Sequence, residues 1–304
     1  MHTIQTSKCV VALGFFDGVH RGHGALLRRV AQRAEELGAE PAALSFARHP
    51  RELITGRQVP LLNTPADRAW LMRTQYGIRR VELLPFDRDM MEMPWDRFVT
   101  DVVAGRFGAV HVVVGGNHRF GYRGEGTPER LAQLCRTLGL GCDVMGQVDL
   151  DGVRVSSTHI RGLLEAGEME TANRFLGHPH ILTGRVVRGK QLGRTLGIPT
   201  ANLALPEGVL PPAFGVYATR VTAGGQTHLA VTNVGVRPTV DQDGKVTVEP
   251  WVLDYSGNLY DQEIRVEFHA RLRPERRFDG VEQLRQEILR NAGQTRAYFA
   301  GVVG

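Results

Sequence analysis

Two runs of this chain combine glycines with side chains suited to phosphate. The first is Gly14-Phe15-Phe16-Asp17-Gly18-Val19-His20-Arg21-Gly22-His23, directly after the apolar run Cys9 to Leu13. Gly14 and Gly18 let a strand-to-helix connection bring its backbone close to a ligand. His20 and His23, three apart at a helix start, project from one face. Helix-start amides favour phosphate, and the two imidazoles add donors for charge developing on a phosphoryl group. Asp17 is placed to orient a neighbouring amide or histidine. A His-x-x-His pair also suits a metal, but no third ligand is evident from the spacing. Further along, Ser156, Ser157 and Thr158 read as hydroxyls at a helix start, with Arg161 one turn on. Alone these hydroxyls read as a helix cap; joined to the histidine motif and Arg161 they read as a second phosphate clamp. The second glycine-rich run is Gly193-Arg194-Thr195-Leu196-Gly197-Ile198-Pro199-Thr200-Ala201-Asn202, between β-patterned segments. The two runs, in this order, point to two consecutive nucleotide-using reactions on one chain.

The elements that must position these residues are of two kinds. From Cys9 to about Gly146 short apolar strands alternate with amphipathic helices. Val10 to Leu13, Ala42 to Phe46, Val81 to Leu84 and Val110 to Val114 read as buried strands. Ala25 to Leu37 reads as a helix with Leu26, Leu27, Val30, Ala34 and Leu37 inward, and Trp95 to Phe107 reads as helical. Thr64-Pro65 and Thr127-Pro128 each supply a hydroxyl cap followed by proline at the first helical position. Such alternation predicts a doubly wound parallel sheet of Rossmann type, with its ligand beyond the carboxyl ends of the strands. Asp151-Gly152 reads as a hairpin turn, Ser156 to Ala166 as a short helix, and Met169 to Leu176 as a second one. After about His178 the period changes. Thr183 to Arg188, Tyr217 to Thr222, His228 to Thr232, Val246 to Leu253 and Ile264 to Leu272 read as strands. Gly224-Gly225 and Asp243-Gly244 supply hairpin turns. These predict a closed antiparallel barrel with a terminal helix over Val281 to Leu289. The expected domains are 1–178 and 179–304.

Composition narrows the function classes. The chain has 304 residues, 42% hydrophobic and 23% charged, enough for two ordinary domains. Its 37 basic and 32 acidic side chains leave a net charge of only +5, without basic blocks. No specific nucleic-acid partner is expected. Cys9, Cys135 and Cys142 are odd in number and scattered, which fits a reducing cytoplasm. No run approaches a membrane span of about 20 apolar residues.

The first motif resembles the G-x-F-D-G-x-H-x-G-H pattern of the adenylylating half of bacterial bifunctional riboflavin kinase/FAD synthetases, part of the wider nucleotidyltransferase superfamily. Phe46-Ala47-Arg48-His49-Pro50-Arg51 is similar to that family's F-x-P-H-P-R, with Arg48 in place of proline. Val114 to Gly121 resembles another family loop, with Asn117 at the usual Asp or Asn and His118 in place of Phe. Val155 to Arg161 resembles the family's S-S-T-x-I-R. The resemblance implies nucleotide or substrate contacts at Gly14, Phe16, Asp17, Gly18 and Gly22. It implies the same at Asn117, Ser156, Ser157 and Thr158, with His20, His23 and Arg161 stabilising charge in catalysis.

Thr183 to Lys190 and the run Gly193 to Asn202 resemble the riboflavin kinase module, whose G-R-x-L-G-x-P-T-A-N letters are all present. By that resemblance Thr200 and Asn202 hold Mg²⁺ and the ATP phosphates; a hydroxyl and an amide oxygen are hard ligands suited to that ion. Gly189, Lys190, Gly193, Arg194, Gly197 and Pro199 line the nucleotide. Val248-Glu249-Pro250-Trp251-Val252-Leu253-Asp254 is similar to the family's V-E-T-H-hydrophobic-L-D, which makes Glu249 the base, with Pro250 and Trp251 as departures. Asn233 to Thr239 resembles N-I-G-x-R-P-T and brings Arg237 to the substrate. The implied function converts riboflavin to FMN and FMN to FAD, with ATP as co-substrate in both steps. Two other readings stay open: a single-activity riboflavin kinase, and a non-catalytic flavin- or nucleotide-binding regulator.

Overall fold

The computed structural model describes residues 8–188, 198–236 and 246–301. Compactness divides the chain into two units. One is Met1–Pro60 with Pro65–Ser156, and the other is Leu61–Thr64 with Ser157–Gly304.

In the first unit the elements run β1 (Cys9–Leu13), α1 (Arg21–Leu37), β2 (Glu40–Phe46), α2 (Pro50–Thr55), α3 (Pro65–Tyr76) and β3 (Arg80–Leu84). There follow α4 (Arg88–Glu92), α5 (Trp95–Arg97), β4 (Ala109–Gly115), α6 (Pro128–Thr137) and β5 (Gly141–Met145). The strands form one sheet in the order β3-β2-β1-β4-β5, and every neighbouring pair is parallel. The chain leaves β1 toward β2 and β3, then returns to β4 on the other side. That reversal opens a crevice at the carboxyl ends of β1 and β4. Both faces of the sheet are covered, so β1 is apolar and buried throughout. Val11, Leu13, Leu44, Val112 and Val114 pack with Phe98, Phe107 and Leu131 in one core. Each such side chain contributes roughly 1.5–3 kcal/mol by leaving water.

One expectation, Leu37, needs correction here, and one, the helix after Trp95, is met in a wider form. Leu37 is 51% exposed; it is the last residue of α1, directly before the left-handed Gly38 cap, whereas Leu27 and Val30 are fully buried. The helix after Trp95 continues as a π-helical stretch over Phe98–Arg106, and the Phe107 amide bonds the Val102 carbonyl at 2.9 Å. The wider turn places Phe98, Val99, Val102 and Val103 in the interior. Thr127 caps α6 as expected, its hydroxyl accepting from the Arg130 amide. Asp151 and Gly152 both take left-handed backbone and join β6 (Asp149–Leu150) to β7 (Val153–Arg154).

The second unit holds α7 (Ser157–Ala166), α8 (Met169–Leu176), β8 (His180–Val187), β9 (Asn202–Ala204), β10 (Gly215–Ala223) and β11 (Gln226–Val236). It ends with β12 (Val246–Val252), β13 (Glu263–Pro274) and α9 (Val281–Gly301). The six strands close into an antiparallel barrel in the order β10-β11-β12-β9-β8-β13. Five of these strands were legible from alternation. The sixth, β9, is three residues long, too short to show a period. Tyr217 and Phe268 meet edge to face inside the barrel. The Gly224-Gly225 turn joins β10 to β11, whereas Asp243-Gly244 lies outside the described residues. Helix α9 runs well beyond Leu289 and buries Ala292 against Val216 and Val231, and Phe299 against Ala218 and Ala270. Helix α8 belongs with the barrel: Asn173 donates to the Phe268 carbonyl at 2.7 Å and accepts from the His180 amide at 2.7 Å. The packing boundary therefore falls at Ser156/Ser157, ahead of the change in sequence period.

Candidate functional sites

The first motif sits where β1 ends. Phe16 (φ 58°) and Gly18 (φ 78°) both take left-handed backbone, which turns the chain sharply into α1. A side chain at Gly18 would be strained in that conformation. The Phe16 ring is buried and meets His23 edge to face, so this side chain packs inside; a ligand contact at Phe16 falls to its backbone. A Cβ on Gly14 would lie 3.0 Å from the same ring, so Gly14 makes room for Phe16 itself. Asp17 is buried beside it.

His20 and His23 share a face as expected, their rings stacked with centroids 3.6 Å apart. His20 is the N-cap of α1, and its Nδ1 accepts from the His23 amide at 3.3 Å. That bond leaves the proton on Nε2, which makes His20 a neutral donor through Nε2. Burial, then His20, then the Arg68 cation hold His23 well below the ordinary histidine range, so it too is neutral. A Cβ on Gly22 would come within 3.1 Å of the His20 ring, so this glycine leaves space for the stack.

Beside this turn lies a cavity of about 570 Å³, lined by Gly14, Phe46, Met90, Phe98, His118 and Phe120 among others. Arg51, Arg119 and Arg123 also line it. His118 stacks on Phe120 at 5.5 Å and 20°, and its apolar surroundings push it down to about 4. It is a flat neutral ring standing where the family pattern has Phe. Arg48 is exposed, so its replacement of proline does not reach the core. Asn117 is exposed on the loop after β4. His49 caps α2 and packs against Phe15.

Val155 is buried, and Ser156 and Ser157 are half-buried. Helix α7 begins at Ser157, one residue later than expected, with Thr158 exposed and Arg161 half-buried one turn on.

In the barrel, strand alternation builds the site. Glu249 and Trp251, two apart on β12, line one cavity of about 380 Å³ with Thr200, Asn233, Phe278 and Ile288. Asn233 is the cross-strand partner of Glu249. Pro250 and Val252 face the other way, into a second cavity of about 650 Å³ with Pro199, Thr200, Tyr255 and Tyr260. Thr200 lines both. Pro250 stands in a strand interior without disrupting it. Its carbonyl accepts from the Ala201 amide, so its missing N–H points toward the edge where β9 meets β12 only at Val248. Asn202 is buried at the start of β9. Glu275 lines the first cavity, and its carboxylate lies against Gly235, where an added Cβ would displace it. Arg273 and Arg276 are gathered by the buried Glu287 at 3.3 and 2.7 Å. Asp254, the other carboxylate near Glu249 in sequence, is exposed and paired with Arg296.

Gly189, Lys190, Gly193, Arg194, Gly197 and Arg237 lie outside the described residues. Sequence reasoning did not single out Arg68, fully buried in α3 beside the histidine turn, or the lining residue Phe278. Trp251 was legible as a departure, whereas Arg68 carried no motif.

The FAD synthetase family profile matches residues 2–159 and the riboflavin kinase profile residues 176–299. A Pseudomonas fluorescens protein named bifunctional riboflavin kinase/FMN adenylyltransferase is 38% identical over 96% of this chain and 93% of its own length. Proteins of the same name from Listeria monocytogenes and Escherichia coli K12 are each 33% identical, over 96% of this chain and 92% and 93% of theirs. A solved Streptococcus pneumoniae chain described as a macrolide-efflux protein superposes with TM-score 0.83 at 28% identity, over 95% of this chain and 94% of that one. Among the described residues no helix is long and apolar enough to cross a membrane.

Proposed function

Since the chain belongs to the bifunctional riboflavin kinase/FMN adenylyltransferase family, we propose how its residues divide two consecutive reactions. The protein is a transferase that phosphorylates riboflavin to FMN and adenylylates FMN to FAD, using ATP in both steps. What supports this assignment of residues is the placement of Glu249, Thr200 and Asn233 in one barrel cavity and of the histidine pair at the carboxyl end of β1.

In the barrel, the flavin ring occupies the cavity walled by Trp251, Phe278 and Ile288, and the nucleotide occupies the cavity walled by Tyr255 and Tyr260. Thr200, common to both, marks where the γ-phosphate meets the riboflavin 5′-hydroxyl. Glu249 takes the hydroxyl proton, the oxygen attacks the γ-phosphorus, and ADP leaves. The Thr200 hydroxyl and Asn202 amide oxygen fit Mg²⁺, an ion bound through few protein ligands plus phosphates. Bound there, it would neutralise phosphate charge.

In the first unit, FMN occupies the apolar cavity lined by Phe46, Phe98 and Phe120, with Arg51, Arg119 and Arg123 for its phosphate. Its phosphate oxygen attacks the α-phosphorus of ATP and pyrophosphate leaves. FMN is already an anionic nucleophile, so positioning and charge stabilisation suffice. The neutral His20 and His23 donate hydrogen bonds to the phosphoryl oxygens. By the family motif Asn117, Ser156, Ser157, Thr158 and Arg161 serve the same reaction. The unpaired thiols of Cys9, Cys135 and Cys142 suit a cytoplasmic location.

Product analysis tests the assignment. Riboflavin with ATP and magnesium is expected to yield FMN and then FAD by chromatography. FMN accumulating without FAD would leave the chain a single-activity kinase.

A further inference from the structure

Arg68 is 0% exposed, yet its hydrogen-bond acceptors are all neutral. Its Nη1 donates to the Phe15 carbonyl at 2.6 Å and lies 3.4 Å from the Ser45 hydroxyl, and its Nη2 donates to the Phe46 carbonyl at 2.8 Å. The Ser45 hydroxyl donates to the same Phe15 carbonyl at 2.8 Å. The guanidinium lies over the Phe15 ring at 4.2 Å, and its Nε has no partner. Phe15 belongs to the connection after β1 that carries the histidines. Phe46 ends β2 and opens the segment leading to His49 and α2. One planar fork thus bridges the outlets of two adjacent parallel strands, a geometry that lysine cannot copy. Burying a cation whose hydrogen bonds go to two carbonyls and a hydroxyl is costly even with the buried Asp17 carboxylate acting on it, and a hydrophobic side chain would fill the same space more cheaply. Burial lowers the guanidinium to about 10 and the Asp17 carboxylate raises it, so it stays charged at neutral pH.

We propose that Arg68 is a positioning residue for adenylyl transfer: its fork locks the carbonyls of Phe15 and Phe46 together, fixing the turn that presents His20 and His23, and its charge beneath that turn keeps the site positive toward the polyphosphate of ATP. The inference rests on the adenylyl-transfer reading of the first unit. The same cation, after burial and His20, discourages protonation of His23. The charged and titratable groups that act on His23 are His20 and Arg68, and Asp17 acts in turn on Arg68.

The test compares Arg68→Met and Arg68→Lys in the full chain, following FAD formation from supplied FMN and Mg-ATP across pH, with riboflavin phosphorylation alongside. Arg68→Met is expected to lower kcat for FAD formation by roughly 10², as for loss of a preorganised electrostatic contact. It is also expected to move the acid limb of the pH profile to higher pH, because His23 then protonates more readily. Arg68→Lys keeps the charge and loses the fork, so it is expected to fall about tenfold with the acid limb of the wild type. Phosphorylation stays within about twofold in both. Arg68→Met within about threefold of wild type overturns the proposal. So does an equal loss in both variants with neither acid limb displaced, which marks a mere strut. If Arg68→Met does not fold, Arg68→Lys decides: a tenfold loss at unchanged thermal stability supports the role, and full activity overturns it. Wild-type protein that makes no FAD from FMN sinks the adenylyl-transfer reading instead.

Discussion

The histidine turn of the first unit and strand β12 of the second both present the polar side chains proposed for phosphoryl transfer, by opposite local means. The turn needs left-handed backbone at Phe16 and Gly18, a stacked imidazole pair, and a buried arginine reaching it from α3. Strand β12 needs no unusual backbone. Its pleat sends Glu249 and Trp251 into one cavity and Pro250 and Val252 into the other. A site on a strand inherits its directions from the ladder, so its function rests on the identity of the side chains presented. A site on a turn depends on distant groups that hold the turn, so its function is open to damage from outside the motif.

The sharpest way to break this comparison is at Glu249. Glu249→Gln is expected to lower riboflavin phosphorylation by about 10² to 10⁴, the usual worth of a general base, while adenylylation of supplied FMN continues. Phosphorylation at the wild-type rate would remove Glu249 from the mechanism, and the exposed, ion-paired Asp254 is a poor successor. Next in size is His23→Ala, which should slow FAD formation by roughly 10² with FMN formation unaffected. Equal loss of both would point to unfolding and not to chemistry.

A fragment beginning at Ser157 is expected to phosphorylate riboflavin and to melt at a higher temperature than one beginning at His178, which loses the Asn173 hydrogen bonds and the burial of Phe175 and Leu176. Equal melting temperatures would show that α7 and α8 add nothing to the barrel.

Acid should weaken both units through one desolvated histidine in each, the half-buried His118 and the buried His180. Burial lowers His118 to about 4; burial and then His178 lower His180 to about 3. Each is neutral when folded and gains a proton more readily when unfolded. The stability each contributes is therefore complete above the ordinary histidine value of about 6.5. It is lost as pH falls from there toward about 4 for His118 and about 3 for His180. Calorimetry between pH 7.5 and 4.5 should show His118→Phe flattening the decline of the first unit and His180→Phe that of the second; unchanged slopes would dissociate these histidines from acid sensitivity. The smallest effect is expected at Leu37→Lys, within about 0.5 kcal/mol by denaturant titration, since that side chain is exposed and a cation suits a helix C-terminus.

Legibility followed locality. The parallel sheet, the barrel, the cap of α6 and the Asp151-Gly152 turn depend on neighbours a few residues away, and their periods and turn residues stand in the sequence. Glu249, His20 and His23 could be proposed because motifs surround them. Leu37 was misread because a 3.6-residue period does not say at which residue burial stops. The three-residue β9 has no period to read, and it pairs only because β8 and β12 flank it.

By itself, then, the sequence determined the two architectures, because periods and turn residues are properties of short segments, and its motifs, by resemblance, pointed to the two chemistries. Tertiary structure alone decided that Arg68 is buried and ties β1 to β2, that Thr200 stands on two cavities, that His20 carries its proton on Nε2, and that His118 is a neutral ring on Phe120. Each of these depends on a hydrogen-bond acceptor, a wall or a charge brought in by packing, and on the dielectric that packing creates.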